Sequence, residues 1–106
     1  MFLDYPEAEI TKNIKVVEWL KADLINSTAA LYKGMLGNKE DQWLDALASI
    51  IITCYVLSGR LGAGFSRLEI KIEAKLRQGI EEEHEMEKWY KELSGLLGHL
   101  ANKTNF

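Results

Sequence analysis

The chain has 106 residues, 47% hydrophobic and 27% charged, which suits one ordinary soluble domain spanning 1–106 and leaves little for a second. Thirteen Lys and Arg stand against 16 Asp and Glu, and the formal net charge of -3 argues against a nucleic-acid polymer or an anionic membrane as partner. Cys54 is the only cysteine, which excludes an intramolecular disulfide and a Cys-rich zinc site and leads us to expect a reducing, cytoplasmic setting.

The first residues, Met1 to Glu7, carry no basic region and no long apolar core, so no secretory signal is expected there. Beyond Pro6, the sole proline, long windows are free of helix breakers, and an all-α fold is predicted. Ile10, Ile14, Val17, Leu20, Leu24, Ser27 and Leu31 recur every three or four residues and predict a long first helix, or two short ones end to end. Gly34 and the Leu36-Gly37-Asn38 segment should stop it, because Gly and Asn accept the left-handed backbone that closes helices.

A second helix is expected from about Glu40 to Leu57 or Ser58, apolar nearly all round and therefore central. Its apolar stretch, Trp43 to Leu57, contains Asp45 and falls short of the roughly 20 residues that span a bilayer, so it reads as a buried helix. After Gly59, Gly62 and Gly64, the stripe Phe65, Leu68, Ile72 and Leu76 predicts a third, amphipathic helix with Arg67, Lys71 and Lys75 beside it. Gly79 should break or kink the chain before a fourth helix from Ile80 to Leu100, and Ala101 to Phe106 is expected to fray. The expected architecture is a compact bundle of about four helices.

Charged residues on an apolar helix draw attention because an unpaired buried carboxylate is costly. Asp41, Asp45 and Ser49 form a polar seam one turn apart on the second helix, and Asp23 and Asn26 share a face of the first. Two such oxygen-bearing faces turned toward each other would suit a hard cation such as magnesium. A plainer account has Asp41 favoured by the helix macrodipole and Asp45 paired with a base.

The run Asp41-Gln42-Trp43-Leu44-Asp45-Ala46-Leu47, the Gly59-Arg60-Leu61-Gly62 turn and the helix Ile70-Lys71-Ile72-Glu73-Ala74-Lys75-Leu76-Arg77 together resemble the MazG-like proteins. These belong to the all-α nucleoside triphosphate pyrophosphohydrolases, and the resemblance covers roughly residues 10–80. It implies magnesium, or manganese, held by a Glu-Glu-x-x-Glu motif on one helix and Glu-x-x-Asp on the next. Water would attack a nucleoside triphosphate, releasing pyrophosphate and leaving the monophosphate. On this chain the first motif falls on Ala22, Asp23 and Asn26 and the second on Gln42 and Asp45, with Asp41 as a further oxygen donor. The implied metal set is thus Asp23, Asn26, Asp41 and Asp45, fewer carboxylates than the family pattern, which weakens metal affinity and two-metal hydrolysis.

The resemblance also assigns Lys71 and Lys75 to phosphate binding, with Arg67 and Arg77 in support, where composition alone would make them a solvated face balanced by Glu69 and Glu73. Trp19 and Trp43 would stack on a nucleobase, or serve as core. A homodimer or homotetramer is expected, since the surplus of large apolar residues would be buried across a two-fold interface. The alternative is a non-catalytic helical module for self-association or for binding a partner protein. Glu81 to Glu85 includes one Glu-x-x-His spacing without a second copy, and reads as a solvated acidic helix start.

Overall fold

The computed structural model describes residues 4–103, in which every regular element is an α-helix. These are α1 (Asp4–Leu36), α2 (Glu40–Arg60), α3 (Phe65–Glu81), α4 (Glu85–Tyr90) and α5 (Glu92–Lys103). The all-α class is as expected. Backbone contacts divide the chain into two units, residues 1–65 and 66–106.

The first unit is an antiparallel hairpin of α1 and α2. Its inner residues on α1 are Asn13, Val17, Leu20, Leu24, Ser27, Leu31 and Gly34, alternating by four and three. On α2 they are Trp43, Ala46, Ile50, Thr53 and Leu57, alternating by three and four. A seven-residue period keeps one stripe of each helix facing the other along its whole length, as in a coiled coil. The predicted stripe on α1 is therefore right from Val17 to Leu31, but at its start Asn13 turns inward while Ile10 and Ile14 stay 60% and 59% exposed.

Gly34 does not stop α1. It lies in the last turn, buried, and a Cβ there would sit 2.8 Å from the Trp43 backbone nitrogen and 3.1 Å from its Cα. Only a residue without a side chain lets the start of α2 approach so closely. The helix ends two residues later, where Asn38 takes the left-handed φ of 53° and the Lys39 amide donates to the Gly34 carbonyl at 2.9 Å. At the other end of the hairpin the Asn13 side-chain amide donates to the Arg60 carbonyl at 3.2 Å. Gly62, at φ 98°, then turns the chain, and the Ser58 hydroxyl donates to the Ala63 carbonyl at 2.8 Å.

The expectation that α2 is a buried central helix is corrected. Ala46 and Thr53 are its only buried residues, whereas Leu44, Ile51 and Ile52 are 52%, 57% and 62% exposed. The helix also outruns the apolar stretch: its 21 residues, with a mean hydropathy of 1.3 over the most apolar window, are long and apolar enough to cross a membrane by length and composition. One such helix is weak grounds for a span, and the buried stripe of α2 is taken up by α1.

In the second unit Leu68, Ile72, Leu76 and Ile80 line the inner side of α3, with Leu76 buried. The helix runs through Gly79, the expected break, to Glu81. A Cβ on Gly79 would fall 2.6 Å from a Leu93 methyl of α5, so this glycine too marks a close approach. The break comes at residues 82–84, where Glu83 has φ 53° and the His84 imidazole Nδ1 accepts from the Met86 amide at 3.2 Å. The acidic Glu81–Glu85 segment is thus the end of one helix and the capped start of the next, not a Glu-x-x-His face.

The single fourth helix expected over Ile80–Leu100 is in fact divided, because Lys91 adopts φ 56° between α4 and α5. Glu87 holds this joint. Its buried carboxylate accepts from the Ser94 amide at 2.8 Å and from the Ser94 hydroxyl, filling the role of an N-terminal cap for α5. The Ser94 hydroxyl hydrogen bond, foremost, and the Ser94 amide hold the Glu87 carboxyl below its ordinary value of 4.5, with Lys91 adding to them and burial opposing. A lowered folded value means the joint's contribution is full above that ordinary value and is lost as pH falls through the folded one. In Glu87→Gln the acid-dependent loss of protection at the Ser94 amide, followed by hydrogen exchange, should disappear. An unchanged pH profile would show that another group governs the joint. Ala101 to Lys103 are helical rather than frayed, and 104–106 lie outside the described residues.

Candidate functional site

The hairpin carries most of the residues singled out from sequence. Trp19, Asp23 and Asn26 lie on α1 and Asp41 and Asp45 on α2, all exposed. A buried α2, as the sequence leads one to expect, would force Asp45 inward. The seven-residue period explains why it is exposed instead: Trp43, Ala46 and Ile50 occupy the inner stripe, and Asp45 falls more than a quarter turn away from it. Followed round the two helices, the Asp23–Asn26 stripe and the Asp45–Ser49 stripe flank the α1–α2 seam on the same side, and Asp41 falls on the outer face of α2.

Sharing a side does not bring them to the same height. Gly34 abuts Trp43 near one end of the hairpin, and Asn13 bonds Arg60 near the other. Interpolating between these contacts sets Asp23 level with about residue 52 and Asp45 level with about residue 31, an offset of roughly 10–13 Å along the axes at 1.5 Å per residue. Asp41 is displaced further in the same sense. Asn26 comes level with about residue 49, so its nearest counterpart across the seam is the half-buried Ser49.

A magnesium ion asks for oxygens converging at about 2.0–2.1 Å in octahedral array. Among the described residues no three His, Cys, Asp or Glu side chains are grouped so as to hold a metal ion. The donor set on this hairpin, three dispersed aspartates and an amide, therefore does not fit a resident magnesium ion. Asp41 stands with Glu40 in the first turn of α2, where a carboxylate is favoured by the helix N-terminus.

The basic residues lie on the second unit. Lys71 and Lys75 are exposed on α3, one turn apart and flanking its buried stripe. Arg77 is engaged with Glu73 of the same helix through Nη2 at 2.8 Å and Nε at 3.1 Å, an exposed pair of small energetic weight. Sequence reasoning missed two polar contacts that shape the chain: the Asn13–Arg60 clamp and the Glu87 cap of α5. Neither had a readable signal, since each joins residues whose pairing depends on the folded chain.

An open apolar groove of about 520 Å³ lies on α1, lined by Leu24, Ile25, Thr28, Ala29 and Tyr32. It contains no charged group, and Thr28 uses its hydroxyl on the Leu24 carbonyl at 2.7 Å. Such a surface suits an apolar partner rather than a phosphate.

Comparison with known proteins gives one positive finding: residues 10–93 match the MazG-like family, a stretch running from the first turns of α1 into α5. No curated protein and no solved structure matches the chain. The family match takes in most of α1 and the whole of α2, α3 and α4, and on that breadth the chain belongs to the MazG-like family.

Proposed function

We propose that this chain is a nucleoside triphosphate pyrophosphohydrolase-type domain that binds a nucleotide, with release of pyrophosphate weak or lost, and that it works in the cytoplasm as a homodimer or homotetramer. The family match over residues 10–93 carries the substrate class. Asp45 and Asp23, on the same side of the hairpin, are the carboxylates nearest the nucleotide phosphates in this reading, with Asn26 and Asp41 beside them. The exposed Trp19 of the first unit is the stacking surface for the base, and, on the second unit by itself, the family resemblance makes Lys71 and Lys75 phosphate-binding residues. Magnesium or manganese is the family's cation, and the dispersal of the carboxylates is the reason turnover is expected to be low.

Pyrophosphate release from a panel of ribo- and deoxyribonucleoside triphosphates, with magnesium or manganese, tests this. Slow release that vanishes in Asp45→Ala, with helical content unchanged by circular dichroism, is the expected result. Release that persists in the variant would remove Asp45 from the site. Silence in both folded proteins would favour a second reading, a non-catalytic module for self-association, which the breadth of exposed apolar surface on α1 and α2 independently supports.

A further inference from the structure

We propose that the described residues form no divalent-cation site of their own, and that any cation at the hairpin arrives as the counter-ion of the nucleotide phosphates. The inference rests on the nucleotide reading above and narrows it: the ligand is either the metal–nucleotide complex or the bare nucleotide, never a nucleotide added to a metal-loaded protein.

The argument is one of register and charge. The close approach of Gly34 to Trp43 sets the register at one end of the hairpin, and the Asn13–Arg60 hydrogen bond lies at the other. A slide of one full turn would move the Gly34 gap off the Trp43 backbone and put a larger residue in its place. With that register, Asp23 and Asp45 are separated by about seven or eight residues along the axes, beyond what two short side chains can bridge around one ion. The residues that do come level, Asn26 and Ser49, are neutral. Neutral oxygens alone hold a hard cation poorly, since affinity rises with the number of charged ligands. Asp41 and Asp45 are one turn apart on α2, and two exposed carboxylates on one helix offer an ion no more than loose outer-sphere attraction.

The same register names the repair. Asn26→Glu with Ser49→Asp would place two carboxylates at one height across the seam, one turn from Asp45, and so create a three-carboxylate cluster.

Manganese binding to the protein alone, read from the electron paramagnetic resonance signal of the free ion, decides the matter. The natural chain should show no saturable binding at concentrations up to about 1 mM, as for isolated exposed carboxylates. The double variant should bind one manganese at least ten-fold more tightly than the natural chain. Saturable binding to the natural chain that is lost in Asp45→Ala would overturn the proposal. A double variant that keeps its helical content and gains no binding would overturn the register on which the proposal stands. Nucleotide binding is measured separately, as the rise in melting temperature with a nucleoside triphosphate and with chelator present or absent. A flat response there counts against the nucleotide reading, while the manganese result still stands or falls by itself.

Discussion

Replacing Gly34 with alanine should destabilise the chain, although alanine is the better helix former. The φ at Gly34 is ordinary for a helix, so the substitution by itself favours the folded state by about 0.5–1 kcal/mol. Against this stands the new Cβ, 2.8 Å from the Trp43 nitrogen and 3.1 Å from its Cα. Both are backbone atoms, so no rotamer change relieves the overlap and the two helices must part. Forced expansion at a packed contact costs about 1–3 kcal/mol, which exceeds the helical gain. The net loss of about 1–2 kcal/mol should lower the melting temperature by roughly 4–10 °C in a chain of this size. Gly98→Ala is the matched control. It lies in α5 with nothing within 4 Å of the added Cβ, so only the helical gain remains and the melting temperature should rise by a few degrees. If both substitutions moved stability the same way, the close approach of α1 and α2 at Gly34 would be wrong.

The contrast between those two glycines shows what could be read from sequence and what could not. Helix existence was legible because it depends on the recurrence of apolar residues along one segment: the α1 stripe from Val17 to Leu31 and the α3 stripe from Leu68 to Leu76 are both found. Helix ends followed local backbone chemistry where the signal was local, as at Asn38 and Gly62, both with positive φ. Gly34, expected to help stop α1, and Gly79, expected to break or kink the chain, instead sit inside helices, because a glycine that admits a neighbouring helix looks the same in sequence as one that ends its own. Only the tertiary partner, Trp43 or Leu93, tells them apart. The α4–α5 joint escaped for a related reason. Lys91 has no intrinsic liking for φ 56°, and it is held there by a carboxylate four residues earlier bonding an amide three residues later. At the candidate site the residue types were legible, and so was the sharing of a face within each helix. The height of one helix against the other was not, since a seven-residue repeat is satisfied equally well by several registers.

The largest effect of all is expected on the apolar side of the hairpin. Opposite the aspartates, Ile14, Ile25 and Tyr32 of α1 and Leu44, Leu47 and Ile51 of α2 flank the seam together, and all are exposed. If a second copy of the proposed homodimer or homotetramer covers this side, Leu47→Lys with Ile51→Lys sets two ammonium groups into the centre of an apolar interface. Loss of a central anchor costs about 2 kcal/mol or more each, a weakening of at least roughly 30-fold per residue in the dissociation constant. The natural chain should then sediment as an oligomer, with a melting temperature that climbs with protein concentration. The double variant should sediment as a monomer whose melting temperature no longer depends on concentration. In a chain that never assembles, Ile51 at 57% exposure and Leu47 at 37% are outer residues, and the same changes would shift stability by only about 0.5 kcal/mol each. The two cases differ in kind as well as size, because only assembly ties stability to concentration. A monomeric natural chain would therefore remove both the homo-oligomer and the self-association reading at once, leaving the nucleotide to be tested on the hairpin alone.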